Sequence, residues 1–121
     1  MPTDKTGAEA TVTHNPDELR YEISVDGHLA GFTQYRDRTG DDAVERVFFH
    51  TEVADEFAGR GLGTILVREA LDAVRDAGLT IVGVCPLVAA FLRKNPDYAP
   101  ATHPVTQEIL AWLRSAISPG Q

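Results

Sequence analysis

Residues 58–67, AGRGLGTILV, place glycine at three alternate positions and then continue into an apolar stretch. Glycine allows backbone turns that other residues avoid, and it allows a ligand to approach the main chain closely. The residues before this stretch have the pattern of a strand, and those after it have the pattern of a helix. The free backbone N–H groups of the loop and the positive end of the helix dipole then point to the same place, in front of the helix N-terminus. The stretch therefore predicts an anion-binding loop of the kind that holds phosphate.

Two familiar phosphate-binding loops do not fit these residues. The P-loop requires lysine after its last glycine, where this chain has Thr64 after Gly63. The dinucleotide-binding pattern requires a third glycine at the position occupied by Leu66. The loop is expected to belong to another class.

The chain before the loop has the alternation of strands. Apolar residues alternate with polar ones over 19–25, and Asp26 with Gly27 forms a typical two-residue hairpin turn. A second strand is predicted from residue 28 to about 36, followed by a polar loop over 37–42. The third strand covers 44–53, and a short leading strand lies near 9–15. This order predicts an antiparallel meander. The predicted inward-facing set of the third strand is Val47, Phe49, Thr51 and Val53.

The chain after the loop changes to helical periodicity. A helix over 61–77 is predicted, with Gly78 as its cap, and an apolar strand follows over 79–84. A short helix from 86 to about 94 and a last amphipathic helix within 105–117 complete the chain. Strand, loop, helix and strand form a crossover unit, so the fold class is mixed α+β. The apolar stripe of the first helix comprises Leu62, Ile65, Leu66, Ala70, Ala73, Val74 and Ala77.

Length and composition favour one globular domain. The chain has 121 residues, 43% of them hydrophobic and 24% charged, which fits a single core. We expect a flexible N-terminus over 1–8, one domain over 9–117 and a tail over 118–121. The formal net charge of -7 disfavours nucleic acid as a partner, and no apolar run is long enough to cross a membrane. One cysteine excludes an internal disulfide, so we expect a cytoplasmic protein.

Motifs over 47–98 resemble the GCN5-related N-acetyltransferases. HTEV at 50–53, the glycines at 61 and 63, and CP at 85–86 followed by LVAAFLRKNPDY are typical of a short single-domain subfamily. The acyl-CoA loop of this family has the form Gln/Arg-x-x-Gly-x-Gly/Ala. Here Ala58 occupies the Gln/Arg position, and Arg60 is the cation nearest to it in the loop. Because the backbone forms the phosphate site, the loop still predicts CoA binding, with Arg60 as an electrostatic substitute.

The resemblance implies how acetyl-CoA would bind. It implies a curved, mainly antiparallel sheet flanked by helices, in which the strands ending at Val53 and Val84 splay apart around the pantetheine arm. The CoA phosphates would lie at the amides of 60–64. The cofactor-binding residues implied in this way are Val53, Arg60, Gly61, Leu62, Gly63, Thr64, Arg93 and Lys94.

Three residues, Cys85, His50 and Glu52, are the main candidate catalytic groups, and Tyr98 is a further one. Pro86 makes Cys85 the expected cap of the short helix, where the helix dipole favours the thiolate. The resemblance suggests an acetyl-cysteine intermediate there, whereas a small buried core residue is the alternative interpretation. His50 and Glu52 share one strand face and are either candidate bases for the amine or an ordinary polar pair on an outer face. Tyr98 is either an acid for the leaving thiolate or a residue at the edge of the core.

These observations together predict an acetyl-CoA-dependent N-acetyltransferase that acts on an amine, either a small molecule or a protein or peptide. Direct attack on acetyl-CoA and transfer through Cys85 both remain open. A non-catalytic CoA-binding or acyl-CoA-sensing module is the alternative function. No metal site is predicted, since His14, His28 and His103 have no partner at ligand spacing.

Overall fold

The computed structural model describes residues 3–4, 6–40 and 43–117. One sheet contains five strands that lie side by side in chain order, and each pairs antiparallel with its neighbour except the last, which runs parallel to the fourth. This architecture confirms the mixed α+β class. The elements are β1 (Ala10–Asn15), β2 (Arg20–Val25), β3 (His28–Thr39), β4 (Val44–Val53), α1 (Leu62–Asp76), β5 (Thr80–Gly83), α2 (Pro86–Lys94) and α3 (Gln107–Ile117), with 3-10 turns at Asp55–Phe57 and Pro96–Ala101.

The β2–β3 hairpin confirms the predicted turn, and β3 is longer than predicted. Asp26 and Gly27 both have positive φ, 51° and 83°, as a tight two-residue turn requires. The predicted end at residue 36 was wrong, because β3 continues to Thr39. Ion pairs of 2.8 Å from Arg46 to Asp37 and from Arg38 to Glu45 join its polar end to β4. Residues 41 and 42 of the predicted loop lie outside the described residues.

A β-bulge in β4 divides the inward-facing set that the alternation predicted. Gln34 pairs with His50 and Tyr35 pairs with Phe48, so Phe49 has no partner on β3. The extra residue reverses which side chains face each side of the sheet. Val47 and Phe49 therefore pack on the α3 side, whereas Val53 packs against the main core on the other side. The prediction of one common face for Val47, Phe49, Thr51 and Val53 was wrong.

Helices cover both faces of the sheet. Helix α1 buries its apolar side in the main core, and α3 packs on the opposite face through Ile109 and Leu113 against Val47 and Val82. The predicted stripe of α1 was wrong at Ala73 and Ala77, which are exposed. The helix is rotated so that Val67 and Leu71 face the sheet instead. The buried residues of α1 are Leu62, Leu66, Val67, Ala70, Leu71 and Val74.

The two parallel strands separate after a short paired segment, as predicted. Residues Glu45 to Phe48 of β4 pair with Thr80 to Gly83 of β5. The carbonyl of Phe48 then accepts hydrogen bonds from the N–H groups of Val84, at 3.0 Å, and Cys85, at 2.9 Å. Beyond this point β4 continues to Val53, while the chain after β5 turns into α2. We call this point of separation the fork.

The ends of the chain are described only in part. Residues 118–121, which were expected to form a tail, lie outside the described residues, as do residues 1, 2 and 5 of the expected flexible N-terminus. The domain boundaries stay a prediction. Within the part of the chain that the structure describes, no helix is both long and apolar enough to cross a membrane.

Candidate functional site

The glycine loop leads from β4 into the N-terminus of α1. Gly61 caps the helix in the left-handed conformation, with φ of 77° and ψ of 14°, and no side chain caps the helix. The first intrahelical bond runs from the N–H of Ile65 to the carbonyl of Gly61. The N–H groups of residues 62–64 therefore have no acceptor within the helix. Since the first turn of α1 also contains no acid, this terminus fits an anion such as phosphate.

Gly63 brings the start of α2 against the start of α1. A Cβ on Gly63 would lie 3.1 Å from Cδ2 of Leu87 and 3.9 Å from Cγ2 of Val53. The Leu87 side chain is exposed and can move, so the space beside Gly63 is narrow rather than closed. The absence of a side chain keeps the backbone accessible where α1, α2 and the end of β4 meet.

Arg60 is anchored to the N-terminal segment. Its guanidinium lies 3.3 Å from Oδ2 of Asp4, whose side chain is buried. Oδ1 of Asp4 accepts hydrogen bonds from the hydroxyl of Thr6 at 2.6 Å and from the N–H groups of Thr6 and Ala8 at 2.8 and 3.0 Å. The hydrogen bond from the Thr6 hydroxyl, partly opposed by burial, holds the pKa of Asp4 below its usual range. Sequence reasoning missed Asp4, for which a short Asp-x-Thr turn is the only signal.

Two clefts flank the first turns of α1. One has a volume of about 450 Å³ and is lined by Asp4, Arg60, Gly61 and Ile65 among others. The second, about 220 Å³, is a groove between α1 and α2 that we call the α1–α2 groove. Thr64 and Arg68 lie one helical turn apart and line both clefts. The other lining residues of the α1–α2 groove are Val67, Leu87, Ala90, Phe91, Lys94 and Asn95.

The groove contains one of the two predicted cations of α2. Lys94 lines it together with Arg68, whose guanidinium carbon lies 5.5 Å from the centre of the Phe91 ring. Arg93 is exposed and is not among the residues that line either cleft. The structure thus brings together Arg60, Gly61, Thr64, Arg68 and Lys94, and it leaves Arg93 outside this group.

Cys85 is buried at the fork and caps α2, as Pro86 predicted. The residue is 4% exposed and has φ of -59° and ψ of 132°. Its Sγ lies 3.2 Å from Oγ1 of Thr51 on β4. The Thr51 hydroxyl in turn lies 2.9 Å from the hydroxyl of Thr33 on β3. Thr51 was predicted as an inward-facing residue, but its contact with Cys85 was not foreseen.

His50 and Glu52 lie on the other side of β4 from Cys85. The side chain of Thr51 contacts Cys85, and residues on either side of it in a strand point to the opposite face. Nε2 of His50 lies 3.1 Å from Oε1 of Glu52, and the side chains are 47% and 61% exposed. The structure therefore joins these two candidate bases to each other and does not bring them to the thiol.

Tyr98 lies at the edge of the core. Its hydroxyl donates a hydrogen bond to Asp72 of α1, and its ring packs against Phe91. Burial, together with this hydrogen bond, raises the pKa of Tyr98 to about 12. A phenol held in this way is a structural donor to Asp72.

The histidines form no metal cluster in the described part of the chain. His14 stacks on Tyr21, and its Nε2 lies 2.5 Å from the hydroxyl of Tyr35. Within residues 3–4, 6–40 and 43–117, no three His, Cys, Asp or Glu side chains converge as metal ligands.

Comparison with known proteins identifies relatives of this architecture. Residues 20–101 match the family model described as GCN5-related N-acetyl-transferase. The solution structure of a Staphylococcus aureus protein assigned as a GCN5-like N-acetyltransferase is similar, with a TM-score of 0.56 and 21% identity over 80% of this chain and 91% of that one. The crystal structure of the ribosomal-protein-alanine N-acetyltransferase of Brucella melitensis biovar Abortus 2308 is also similar. The TM-score is 0.55 and the sequence identity is 16%, over 82% of this chain and 93% of that one. The comparison with curated proteins finds no match.

Proposed function

Because this chain belongs to the GCN5-related N-acetyltransferase family, we propose that it transfers the acetyl group of acetyl-CoA to an amine. The observation that carries the proposal is the fork. There β4 and β5 separate at Phe48, and the uncapped N-terminus of α1 lies just after the end of β4 at Val53. The gap between β4 and β5 suits the acyl-carrying arm of acetyl-CoA, and the free N–H groups at the start of α1 suit its phosphates.

The contacts around α1 support a binding mode for CoA. We place its diphosphate at the N–H groups of Leu62, Gly63 and Thr64, with Arg60 beside them as the substitute for the side chain lost at Ala58. The α1–α2 groove would hold the nucleotide end, since it offers Arg68 and Lys94 for phosphate and the apolar side chains of Leu87 and Phe91 for the adenine. Val53 would border the pantetheine arm beside Gly63. Arg93, which lines neither cleft, would attract the CoA phosphates only through its charge, without a direct contact.

The position of Cys85 supports transfer through an acetyl-cysteine. In the first step Sγ attacks the carbonyl carbon of the thioester, the bond from that carbon to the CoA sulfur breaks, and CoA leaves as the thiol with the proton of Cys85. In the second step the neutral amine attacks the acetyl-cysteine, the amide forms, and the proton of the amine restores the Cys85 thiol. The thiolate is the reactive form in the first step, and the cap of a helix favours it.

His50 and Glu52 would act on the acceptor. Beyond Phe48 the edge of β4 facing away from β3 has no partner strand among the described residues, so the gap opens toward both faces of the sheet. An amine that enters from the exposed face of His50 would meet this pair first. We assign the pair the task of taking the proton from an ammonium acceptor, since histidine and glutamate side chains are common general bases.

The burial of Cys85 favours a second candidate function. A thiol that is 4% exposed and already hydrogen-bonded to Thr51 can be a packed core residue. In that case the loop and the groove would bind CoA or acyl-CoA without turnover, and the protein would sense or store the ligand.

A turnover assay with parallel binding measurements separates the two functions. The purified chain is incubated with acetyl-CoA and a panel of small amines and peptides, while CoA release and amide formation are recorded. Calorimetry measures acetyl-CoA binding on the same samples. An enzyme releases CoA in step with the amide, whereas a sensing module binds without release. A chain that neither binds acetyl-CoA nor forms an amide contradicts the proposal.

A further inference from the structure

Two threonine hydroxyls and the only thiol of the chain form a row beside the core, in which Thr51 is half-buried and the two outer members are buried. Thr33 and Thr51 stand opposite each other on β3 and β4, and their hydroxyl oxygens are 2.9 Å apart. Thr51 continues the row to Sγ of Cys85 at 3.2 Å. Thr33 is 0% exposed and Cys85 is 4% exposed. We call Thr33, Thr51 and Cys85 the hydroxyl row.

The packing of this region does not by itself require hydroxyl groups. The other side chains that face the core nearby, such as Val53 and Phe48, are apolar. Valine has nearly the shape of threonine, and it needs no hydrogen-bond partner when it is buried. Each hydroxyl is instead satisfied by its neighbour in the row, and no buried side-chain polar atom of the described residues lacks a partner. The row therefore links two strands specifically to the thiol.

The direction of the hydrogen bonds can follow the protonation state of Cys85. When the sulfur carries its proton, the S–H group donates to Thr51, and the Thr51 hydroxyl donates to Thr33. When the proton has left, Thr51 donates to the sulfur, and Thr33 donates to Thr51, because a hydroxyl both donates and accepts. Both states keep the heavy atoms in place. The bond to the charged sulfur is the stronger one, so the row favours the thiolate.

Besides the N-terminus of α2, which Cys85 caps, the hydroxyls are the polar groups that act on the sulfur. From β3 and β4 the row presents two uncharged side chains, and His50 and Glu52 point to the other face. Helix α1 contributes only apolar residues, such as Leu62 and Leu66, to the core cluster that contains Cys85. The cations of α2, Arg93 and Lys94, stand in its last turn, far from its cap.

We propose that Thr51 is a positioning residue that holds Cys85 at the fork and stabilises its thiolate, and that Thr33 fixes the Thr51 hydroxyl. The use of this thiolate in acetyl transfer rests on the proposed function. The stabilisation itself does not, since it depends only on the three side chains. Threonine hydroxyls do not ionise near neutral pH, so the row orients the sulfur and does not take its proton.

Alkylation of the single cysteine by iodoacetamide across a range of pH tests this proposal. The rate follows the thiolate fraction, and the plateau at high pH reports how accessible the sulfur is. For Thr51→Val we expect the midpoint of the profile to move up by about one pH unit, with slower alkylation below the midpoint. Thr51→Ser should restore the parent profile, and Thr33→Val should produce a smaller shift in the same direction.

Two results would overturn the proposal. One is a Thr51→Val profile that coincides with that of the parent in a folded variant, as checked by circular dichroism. The other is a Thr51→Ser profile as displaced as that of Thr51→Val, which would mean that packing alone matters. The acetylation assay on the same samples distinguishes this failure from that of the proposed function. If the parent never transfers an acetyl group but the Thr51→Val alkylation profile is shifted, the proposed acetyltransferase function is wrong and the role of the hydroxyl row is supported.

Discussion

Two glycines with the same backbone conformation mark the ends of α1. Gly61 has φ of 77° at the N-terminus, and Gly78 has φ of 76° just after the C-terminus. At Gly78 the N–H groups of Gly78 and Leu79 satisfy the carbonyls of Arg75 and Val74, which is a Schellman cap. At the other end the N–H groups after Gly61 have no acceptor within the helix, and Gly61 and Thr64 line the larger cleft. The same conformation thus closes one end of the helix and leaves the other end available to a ligand.

This pair of glycines separates a binding effect from a stability effect. Alanine at either position costs roughly 1–2 kcal/mol of folding free energy, because its Cβ disfavours the left-handed region. We expect Gly61→Ala to weaken acetyl-CoA binding by at least about tenfold, since the loop must shift to relieve the strain. Gly78→Ala is the matched control and should bind like the parent. Calorimetry measures the affinities, and equal affinity of a folded Gly61→Ala variant would place the phosphate site elsewhere.

Tyr98 acts on stability through its proton. Its pKa in the folded protein is raised from 10.0 to about 12, so the folded state holds this proton more tightly than the unfolded state. The stabilisation is complete below the unfolded pKa of 10.0 and is lost as the pH rises toward about 12. Tyr98→Phe removes this dependence along with the hydrogen bond to Asp72.

Urea unfolding of the parent and of Tyr98→Phe tests this pH dependence. At about pH 8 the variant should be less stable by on the order of 2 kcal/mol, and the difference should shrink as the pH rises above about 10. Acetyl transfer at neutral pH should survive the change, because the hydroxyl contacts α1 rather than the fork. Unfolding free energies that differ by the same amount at every pH would show that the pKa of Tyr98 is not raised by folding, which would contradict this account.

At the scale of elements, β4 shows what the sequence predicts and what it does not. Its start and its end are local properties, and both were predicted correctly. The bulge at Phe49 depends on how β3 and β4 pair, so alternation along one strand cannot indicate it. For the same reason the sequence placed Thr51 on the core side but did not show that it reaches Cys85, a residue from another element.

The loop and α2 were more predictable than the distant contacts. Gly78 after the first helix, and proline after Cys85, indicate caps through local backbone geometry, and both caps are present. The contact between Arg60 and Asp4 joins residues far apart in the chain and carries almost no sequence signal. Arg93 and Lys94 are adjacent, so only the orientation of α2 decides which of them lines the α1–α2 groove.

The cations of the α1–α2 groove should recognise the phosphate on the ribose of CoA. We expect Arg68→Gln and Lys94→Gln each to weaken CoA binding by about 3- to 10-fold at low salt. Dephospho-CoA, which lacks this phosphate, should bind the parent and the variants almost equally. Arg114→Gln on α3, which packs on the opposite face of the sheet, is the matched control of charge. Equal losses for both ligands would assign the two cations to the diphosphate instead.

At the scale of the whole molecule, the candidate binding and catalytic residues lie near the C-terminal end of β4. The chain has a formal charge of -7, yet three of its cations, Arg60, Arg68 and Lys94, line the clefts around the start of α1. Asp4 and Glu69 balance the cations of the larger cleft. The α1–α2 groove has Arg68 and Lys94 and no acid among its lining residues, so it attracts an anionic ligand locally although the molecule as a whole is acidic. The fork brings Cys85 to the same end of the strand. The long sheet and the two helix layers hold these parts in fixed relation.

The central claim is that Cys85 carries the acetyl group, and the intact mass of the protein after a short exposure to acetyl-CoA without amine tests it most directly. We predict one added acetyl group that hydroxylamine removes, that a productive amine discharges, and that is absent from Cys85→Ala. Because binding relies on the loop and the α1–α2 groove, Cys85→Ala should still bind acetyl-CoA. An unlabelled parent that nonetheless acetylates amines at the same rate as Cys85→Ala would contradict the account, and direct attack on acetyl-CoA would replace it.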